Sequence, residues 1–470
     1  MRGPSPLRYA PALMAAGLAC ISGCGGDTDP AEPALPGQAA VRVDVQPDWV
    51  PLTWSLRTGG AVVTGSGDSL VVLAHAAPCT LFATEGSGLT LAGTAIQVLE
   101  PVVNRTLDAL LPYVQQPWQR SFGGVVSSLV ADVMATTDGG AIAAGQSDGK
   151  PWLVRVDHRG ETVWSETDPT FADFGYDTLL PLDEGCFLAV GSGNDLLLSR
   201  RGCDGQELAA AVVVGISLGG IALRPAGGYF IAGTSLADVV EAELLRLDAS
   251  GLVLDRQGLS VAGFHCAAGG VVAGPGDGCR VLRAREFEDH TLNYHIEILT
   301  IDGTGAIIET VALGDGEPDL GLGMLACRDG GAVATFNSHS GSDALGAAMV
   351  ARLSAAGTVD WCLELDSPGF EYLVPVGETE NGDIRLVGSA SVYVPASHVV
   401  RLVVLDRWGQ LVANLETDAG DWDFQPSALA EAWDGGVFMG GSVWPRIDRP
   451  GQGWLLRTGA DLVVVPPTDN

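Results

Sequence analysis

The sequence predicts an all-β chain dominated by one repeated unit, and three observations carry that prediction. Glycine supplies 64 of the 470 residues, close to double a typical share. Charged residues make up only 17%. Tight turns of Asp-Gly or Gly-Gly type recur at steps near fifty residues. Glycine spread this evenly marks many separate turns, each needing a backbone angle that other residues avoid.

The turns follow one another along the chain. Asp138-Gly139-Gly140 precedes the apolar run Ala141 to Gly145, and Asp183-Glu184-Gly185 precedes Cys186 to Gly191. Ala226-Gly227-Gly228, Asp329-Gly330-Gly331 and Asp434-Gly435-Gly436 repeat the pattern, with weaker copies at Gly276-Asp277-Gly278 and Glu380-Asn381-Gly382. Measured from the last glycine of each, the steps are 45, 43, 50, 53, 51 and 54. A second turn follows each first one. The clearest is Asp157-His158-Arg159-Gly160, between Trp152–Val156 and Glu161–Trp164, and it returns at Asp248–Gly251, Asp302–Gly305 and Asp406–Gly409. The copy near Leu353 has Ser354 for the aspartate but keeps Gly357 and Trp361. The recurring aspartates read as turn caps, accepting from their own backbone.

Each unit therefore holds four short strands with tight connections, apolar and often alternating. One such sheet cannot bury both of its faces. Sheets set around an axis bury them against each other, which is a β-propeller; a linear solenoid would use shorter repeats. Seven blades fill residues 117–465, and eight are possible if Thr58-Gly59-Gly60 and the run to Gly65 make another blade with a long insertion. The favoured division is a seven-bladed ring over 117–470 and a small N-terminal β module over 41–116. In that module Arg42–Val45 and Ile96–Leu99 are expected as outer strands; under the eighth-blade alternative, 101–114 in the insertion would be a short helix.

The stretch Trp118 to Gly124, then Asp138-Gly139-Gly140, Gly145, Trp152–Asp157 and Gly160, resembles the Asp-Gly-Gly propeller repeats of secreted bacterial proteins. It is also similar to quinoprotein-like propellers. The likeness spans about 117–465 and implies fold rather than activity. A quinone would need a dedicated cation and stacking site, and neither is legible, so no cofactor is expected.

The N-terminus carries a separate signal. Arg2 and Arg8 precede an apolar run from Ala10 to Ile21, too short to span a bilayer. The run ends in Ile21-Ser22-Gly23-Cys24. This matches the lipobox of bacterial lipoproteins, which implies cleavage after residue 23 and lipidation at Cys24. Cys20 fits less well, because Gly17 stands where an aliphatic residue belongs. Residues 24–40, rich in Pro and Ala, read as a tether. Gly25 after the cysteine points to the outer membrane by the same resemblance. The expected location is the cell envelope, outside the cytoplasm, held by the lipid anchor.

A formal net charge of −32 repels nucleic acid. It leaves cations, basic proteins and neutral glycans as partners. Seven cysteines follow Cys24, at 79, 186, 203, 266, 279, 327 and 362. Export permits disulfides, and Cys266 with Cys279, on consecutive strands of one unit, is the favoured pair; buried small hydrophobes are the alternative. Cys186 and Cys203 share another unit. His290 and His295 beside Glu286, Glu288 and Asp289, and the trio Asp418, Asp421 and Asp423, read as solvated loops before metal sites. No nucleophile elbow or phosphate loop occurs. Two functions remain. The first is a binding or scaffold module for an envelope protein or glycan, with Tyr393, Trp422, Trp433 and Trp444 as stacking residues. The alternative is a hydrolase or lyase with an axial metal or carboxylate site.

Overall fold

The computed structural model describes residues 18–458 apart from 23–37, 47–51, 59–60, 74–77, 84–88, 92–95, 102–105, 123–127, 172–173, 194, 236–240, 288–293, 314–319, 339–346, 366–369, 380, 394–395, 419–421, 433–434 and 446–451. The chain divides into two compact units, Met1–Gln116 and Pro117–Asn470.

The first unit is a two-sheet sandwich. Leu18–Ser22, Ser69–Leu73, Ala39–Gln46, Thr106–Gln115 and Leu89–Leu91 form one sheet in that order. Ala61–Ser66, Thr53–Thr58, Cys79–Ala83 and Ile96–Leu99 form the other. Val41, Val43, Val45, Val71 and Leu73 from the first sheet meet Trp54, Leu56 and Leu81 from the second in one core. Alternation of apolar and polar residues, as in Val41-Arg42-Val43-Asp44-Val45, gives each strand one buried face. The Thr58–Ala61 hairpin belongs to this sandwich, in line with the favoured division. Three expectations are corrected. Residues 106–115 form a strand, parallel to Ala39–Gln46, and not a helix. Arg42–Val45 lies inside its sheet, between two neighbours. The fold also begins before residue 41, because Ala39 and Ala40 are buried strand residues. Leu18–Ser22 pairs along Ser69–Leu73 at the sheet edge. Cys24 lies outside the described residues.

The second unit is a β-propeller. Its described residues form seven four-stranded antiparallel sheets. In the order inner to outer strand, the first sheet is Ser128–Ala135, Ala141–Ser147, Lys150–Val156 and Thr162–Thr167. The second is Gly175–Pro181, Phe187–Ser192, Asp195–Arg201 and Glu207–Val214; the third is Ile216–Leu223, Tyr229–Ser235, Ala242–Leu247 and Val253–Gly258. The fourth is Phe264–Ala273, Cys279–Phe287, Tyr294–Ile301 and Ile307–Ala312; the fifth is Leu320–Ala326, Ala332–Ser338, Ala347–Leu353 and Val359–Leu365. The sixth is Phe370–Glu378, Ile384–Tyr393, Ala396–Leu405 and Leu411–Asp418. The seventh takes Trp422–Glu431, Val437–Pro445 and Gln452–Arg457 from the end of the unit and its outer strand, Trp118–Phe122, from the beginning. Trp118 pairs with Arg457 across that seam.

The strands differ by depth. Second strands such as Ala141–Ser147 and Tyr229–Ser235 are buried at successive residues, as expected where both faces are covered. Outer strands such as Thr162–Thr167 stay open to solvent. Most turns close in the same way, although the first turns of the second and fourth sheets close one residue later, from Cys186 to Asp183 and from Gly278 to Pro275. Gly139 N–H donates to the Thr136 carbonyl and Gly160 N–H to that of Asp157, with φ of 79° and 77° at the glycines. Only glycine adopts such angles freely. Asp157, Asp248, Asp302 and Asp406 each accept two backbone N–H groups of their own turn, from Arg159 and Glu161, Ser250 and Leu252, Thr304 and Ala306, and Trp408 and Gln410. The aspartates are turn caps, and the Ser250 and Thr304 hydroxyls help hold Asp248 and Asp302 below the usual carboxylate range.

Candidate functional site

Each inner strand of the ring carries a β-bulge, at Val130/Asp132, Tyr176/Thr178, Leu218/Gly220, Ala268/Gly270, Gly321/Gly323, Pro375/Gly377 and Pro426/Ala428. Bulges raise the local twist, which suits strands that converge on an axis. Together the inner strands line one axial cavity of about 750 Å³. One sector is polar, with Asp132, Asp177, Thr178, Ser427 and Glu431. The opposite sector is bare backbone, from Gly219 and Gly220 to Gly269, Gly270 and Gly323. A Cβ on Gly219 would sit 2.0 Å from the Ala268 carbonyl oxygen, so glycine lets neighbouring inner strands meet there.

The axial carboxylates are structural in geometry. Asp132 accepts from its neighbour Val133 N–H (2.7 Å), from Thr178 Oγ1 (3.0 Å) and from Leu179 N–H (2.6 Å). It thereby ties the first sheet to the second. Burial pushes its pKa up to about 6, against the pull of those hydrogen bonds. Asp177 accepts from Ser192, and burial raises it as well. Among the described residues, no histidine lines this cavity. Among the described residues, no three His, Cys, Asp or Glu side chains gather to hold a metal ion.

The outer ends of the sheet junctions form a second set of sites. The outer strand of one sheet lays a side chain on the second-turn glycine of the next sheet. Trp118 covers Gly160, Trp164 covers Gly205 and Trp361 covers Gly409, so close that an added Cβ would fall 2.7, 3.0 and 2.9 Å from the rings. The Trp118 and Trp361 indole N–H groups donate to the carbonyls of His158 and Arg407, both at 3.0 Å. Arg155 donates to Cys203 O at 2.7 Å in the same region. The aspartate of the first turn holds that arginine, with Asp138 at 2.6 Å from Arg155 and Asp329 at 2.6 Å from Arg352. Burial opposes ionisation of Asp138, but Thr136 and the Arg155 charge hold its pKa below the ordinary value.

Three further junctions lack the indole: Arg246 and Gln257 lie against Gly305, Glu309 lies against Gly357, and only small or aliphatic groups lie against Gly251. Arg155 stands opposite Trp164, and Arg352 opposite Trp361. In the second sheet the same register sets Arg200 opposite Ala209. The site over Gly251 is a recess of about 320 Å³, lined by Leu188, Leu198, Arg200, Ala209, Tyr229 and Ala249 among others. Beside it the outer strand of the second sheet is exposed and apolar, with Leu208, Val212 and Val214 at 52%, 47% and 68%. Leu252 and Leu254 continue that surface on the third sheet. Neither Asp132 nor Arg200 stood out in the sequence. The residue four places after each second-turn glycine is Trp164 after Gly160 and Trp361 after Gly357, but Ala209 after Gly205, Asp255 after Gly251, Glu309 after Gly305 and Ala413 after Gly409, so the position alone does not find the recess.

The remaining sequence candidates fall as follows. Cys266 and Cys279 do lie on adjacent strands, but the register places Cys266 opposite Arg285 and Cys279 opposite Ala273. The two cysteines stand near opposite ends of the strand pair, roughly 20 Å apart at 3.3 Å per residue, and no disulfide joins them. None of the seven cysteines after Cys24 is in a disulfide. Burial raises the Cys266 thiol and pushes Cys279 and Cys327 up to about 12, so these are apolar packing residues. His290, Glu288, Asp289, Asp421 and Trp433 lie outside the described residues. Glu286 stands opposite Tyr294, and His295 opposite Arg285, in strand pairs of the fourth sheet. Asp418 ends the outer strand of the sixth sheet, while Trp422, Asp423 and Trp444 lie in strands of the seventh and Tyr393 in one of the sixth.

These features define a propeller with a narrow axis braced by carboxylates and one unfilled junction. No protein-family model matches the sequence, and no curated protein matches it. Among solved structures the chain is similar to the β-propeller domain of Cps50 (Swd1) from Myceliophteria thermophila, at 12% identity over 72% of this chain and 99% of that one, with a TM-score of 0.47. It is also similar to the Dos1 propeller (11%, covering 72% and 94%, TM-score 0.43) and to the C-terminal WD40 domain of Sif2 (12%, 73% and 99%, 0.42). No residue role crosses to this chain from these likenesses.

Proposed function

We propose that this chain is a cell-envelope lipoprotein, anchored through Cys24, whose propeller is a binding or scaffold module for a protein or glycan of the envelope. The observation that carries the reading is the uncovered apolar edge formed by Leu208, Val212 and Val214 with Leu252 and Leu254. An outer strand has unpaired backbone groups, and natural proteins blunt such edges with charge or cover them. Here the strand runs Leu208 to Val214 without a charge. A chain with net charge −32 that keeps an uncharged apolar edge of this length has a surface suited to a partner. The axial alternative has less support, since the Asp132 carboxylate is occupied in holding Thr178 and Leu179.

Two measurements test the reading. The full chain is expected to incorporate labelled fatty acid and fractionate with membranes, and Cys24→Ala to do neither. Affinity capture from envelope membranes is expected to enrich partners that a Leu208→Glu, Leu254→Glu chain loses. Equal recovery on the two chains, or on an unrelated lipid-anchored control, defeats the scaffold reading.

A further inference from the structure

We propose that the recess between the second and third propeller sheets binds a small aromatic acid, an indole-like ring carrying one carboxylate. This goes beyond the scaffold reading and does not rest on it.

The shape argument comes from the molecule itself. At three other junctions the equivalent space is occupied by an indole, from Trp118, Trp164 and Trp361, lying flat on a turn glycine. At this junction the nearest side-chain atoms to a Cβ on Gly251 are Ala211 Cβ at 3.2 Å and Leu198 Cδ1 at 3.4 Å. Ala209 holds the tryptophan position by register. The Gly251 turn is therefore intact and is covered only by Ala211 and Leu198 in place of a ring, leaving about 320 Å³. That volume falls at the small end of ligand sites.

Polar groups at the recess match the rest of the ligand. Trp118 and Trp361 donate their ring N–H to the turn carbonyl two residues before the glycine, at His158 and Arg407. The corresponding residue here is Ala249, which lines the recess. An indole N–H placed like those of Trp118 and Trp361 meets that carbonyl. Arg200 also lines the recess. Its counterparts Arg155 and Arg246 donate to turn carbonyls of the following sheet, at Cys203 and Gly303. Among the described residues Arg200 has no hydrogen bond or ion pair. A guanidinium at the mouth of an apolar recess selects a carboxylate over a neutral head. One cation and a single ring-sized space fit a small monoanion. A flat docking surface would be larger.

The test is titration calorimetry of the full chain with indole-3-acetate, indole and acetate. Indole-3-acetate is expected to saturate one site. Indole is expected to bind about tenfold more weakly, the scale of one charge-assisted contact, and acetate to give no measurable heat. Arg200→Gln is expected to bring indole-3-acetate to the level of indole. Ala209→Trp, which supplies the missing ring in cis, is expected to abolish binding while melting no lower than the parent chain. Failure of indole-3-acetate to bind at millimolar concentration overturns the proposal, as does unchanged affinity in Arg200→Gln or in a folded Ala209→Trp chain.

Discussion

The junction between the first and second sheets and the junction between the second and third are made from the same repeat, yet they are closed to different degrees. The first is fastened at three depths. Asp132 bridges to Thr178 and Leu179 at the axis, Arg201 reaches Glu166 at 2.9 Å further out, and Trp164 lies over Gly205 at the rim. The second has a continuous apolar interior, with Leu188, Leu198, Val213, Tyr229 and Leu247 in one cluster. At its rim it has Ala209 where an indole belongs. The difference teaches that the inner packing of these sheets is sufficient to hold them together. The rim position is then free to vary, from Trp164 and Trp361 through Asp255 and Glu309 to Ala209 and Ala413.

Five substitutions break or sharpen that comparison. The largest effect is expected from Trp118→Ala, which opens at the ring seam the same vacancy that nature leaves over Gly251. It should cost roughly 4 kcal/mol, read as a lower urea midpoint at unchanged slope. Asp132 comes next. Its folded pKa of about 6 lies above the ordinary 3.8, so the folded state holds that proton more tightly than the unfolded chain does. Stability from this group is therefore full below pH 4 and is lost as pH rises through 6, by up to about 3 kcal/mol. The slope of the unfolding free energy between pH 4 and 7 should be less negative in Asp132→Asn, and the difference between the two chains isolates this group. Ala209→Trp works in the other direction. Filling the rim should raise stability by about 1 kcal/mol, and a loss of 2 kcal/mol or more would mean that the recess does not have the shape of the filled junctions. The smallest effect separates two tryptophans. Trp118→Phe loses the hydrogen bond to His158 and should cost about 1 kcal/mol more than ring size alone. Trp164 Nε1 is buried without an acceptor, so Trp164→Phe should escape that cost.

The sequence made the repeat legible because each turn needs one residue at positive φ. Gly139, Gly185, Gly227, Gly330, Gly382 and Gly435 all occupy that position, and their spacing announces the sheets. It did not reveal where the ring is joined. Trp118 to Phe122 reads as the start of the first unit, because a linear sequence gives no sign that its first strand completes the last sheet. Residues 101–114 read as a helix from composition, while the strand over 106–115 exists through a parallel partner far upstream. Cysteine proximity was inferred from neighbouring strands, but strand register, set by every cross-strand pair together, puts Cys266 and Cys279 at different levels. The recess was harder still. It consists of an absent side chain, and absence acquires meaning only after strand pairing has aligned Ala209 with Trp164 and Trp361.

The seam has a consequence for how the molecule comes into being. Trp118 pairs with Arg457, so one of the first strands of the unit to be synthesised must wait for the last before its backbone is satisfied. Closing so long a loop is entropically costly and slow. A nascent chain therefore carries an open ring until Gln452–Arg457 emerges. During that interval Trp118 to Phe122 is an unpaired edge, and assembly on any neighbour that can lend a strand competes with self-closure.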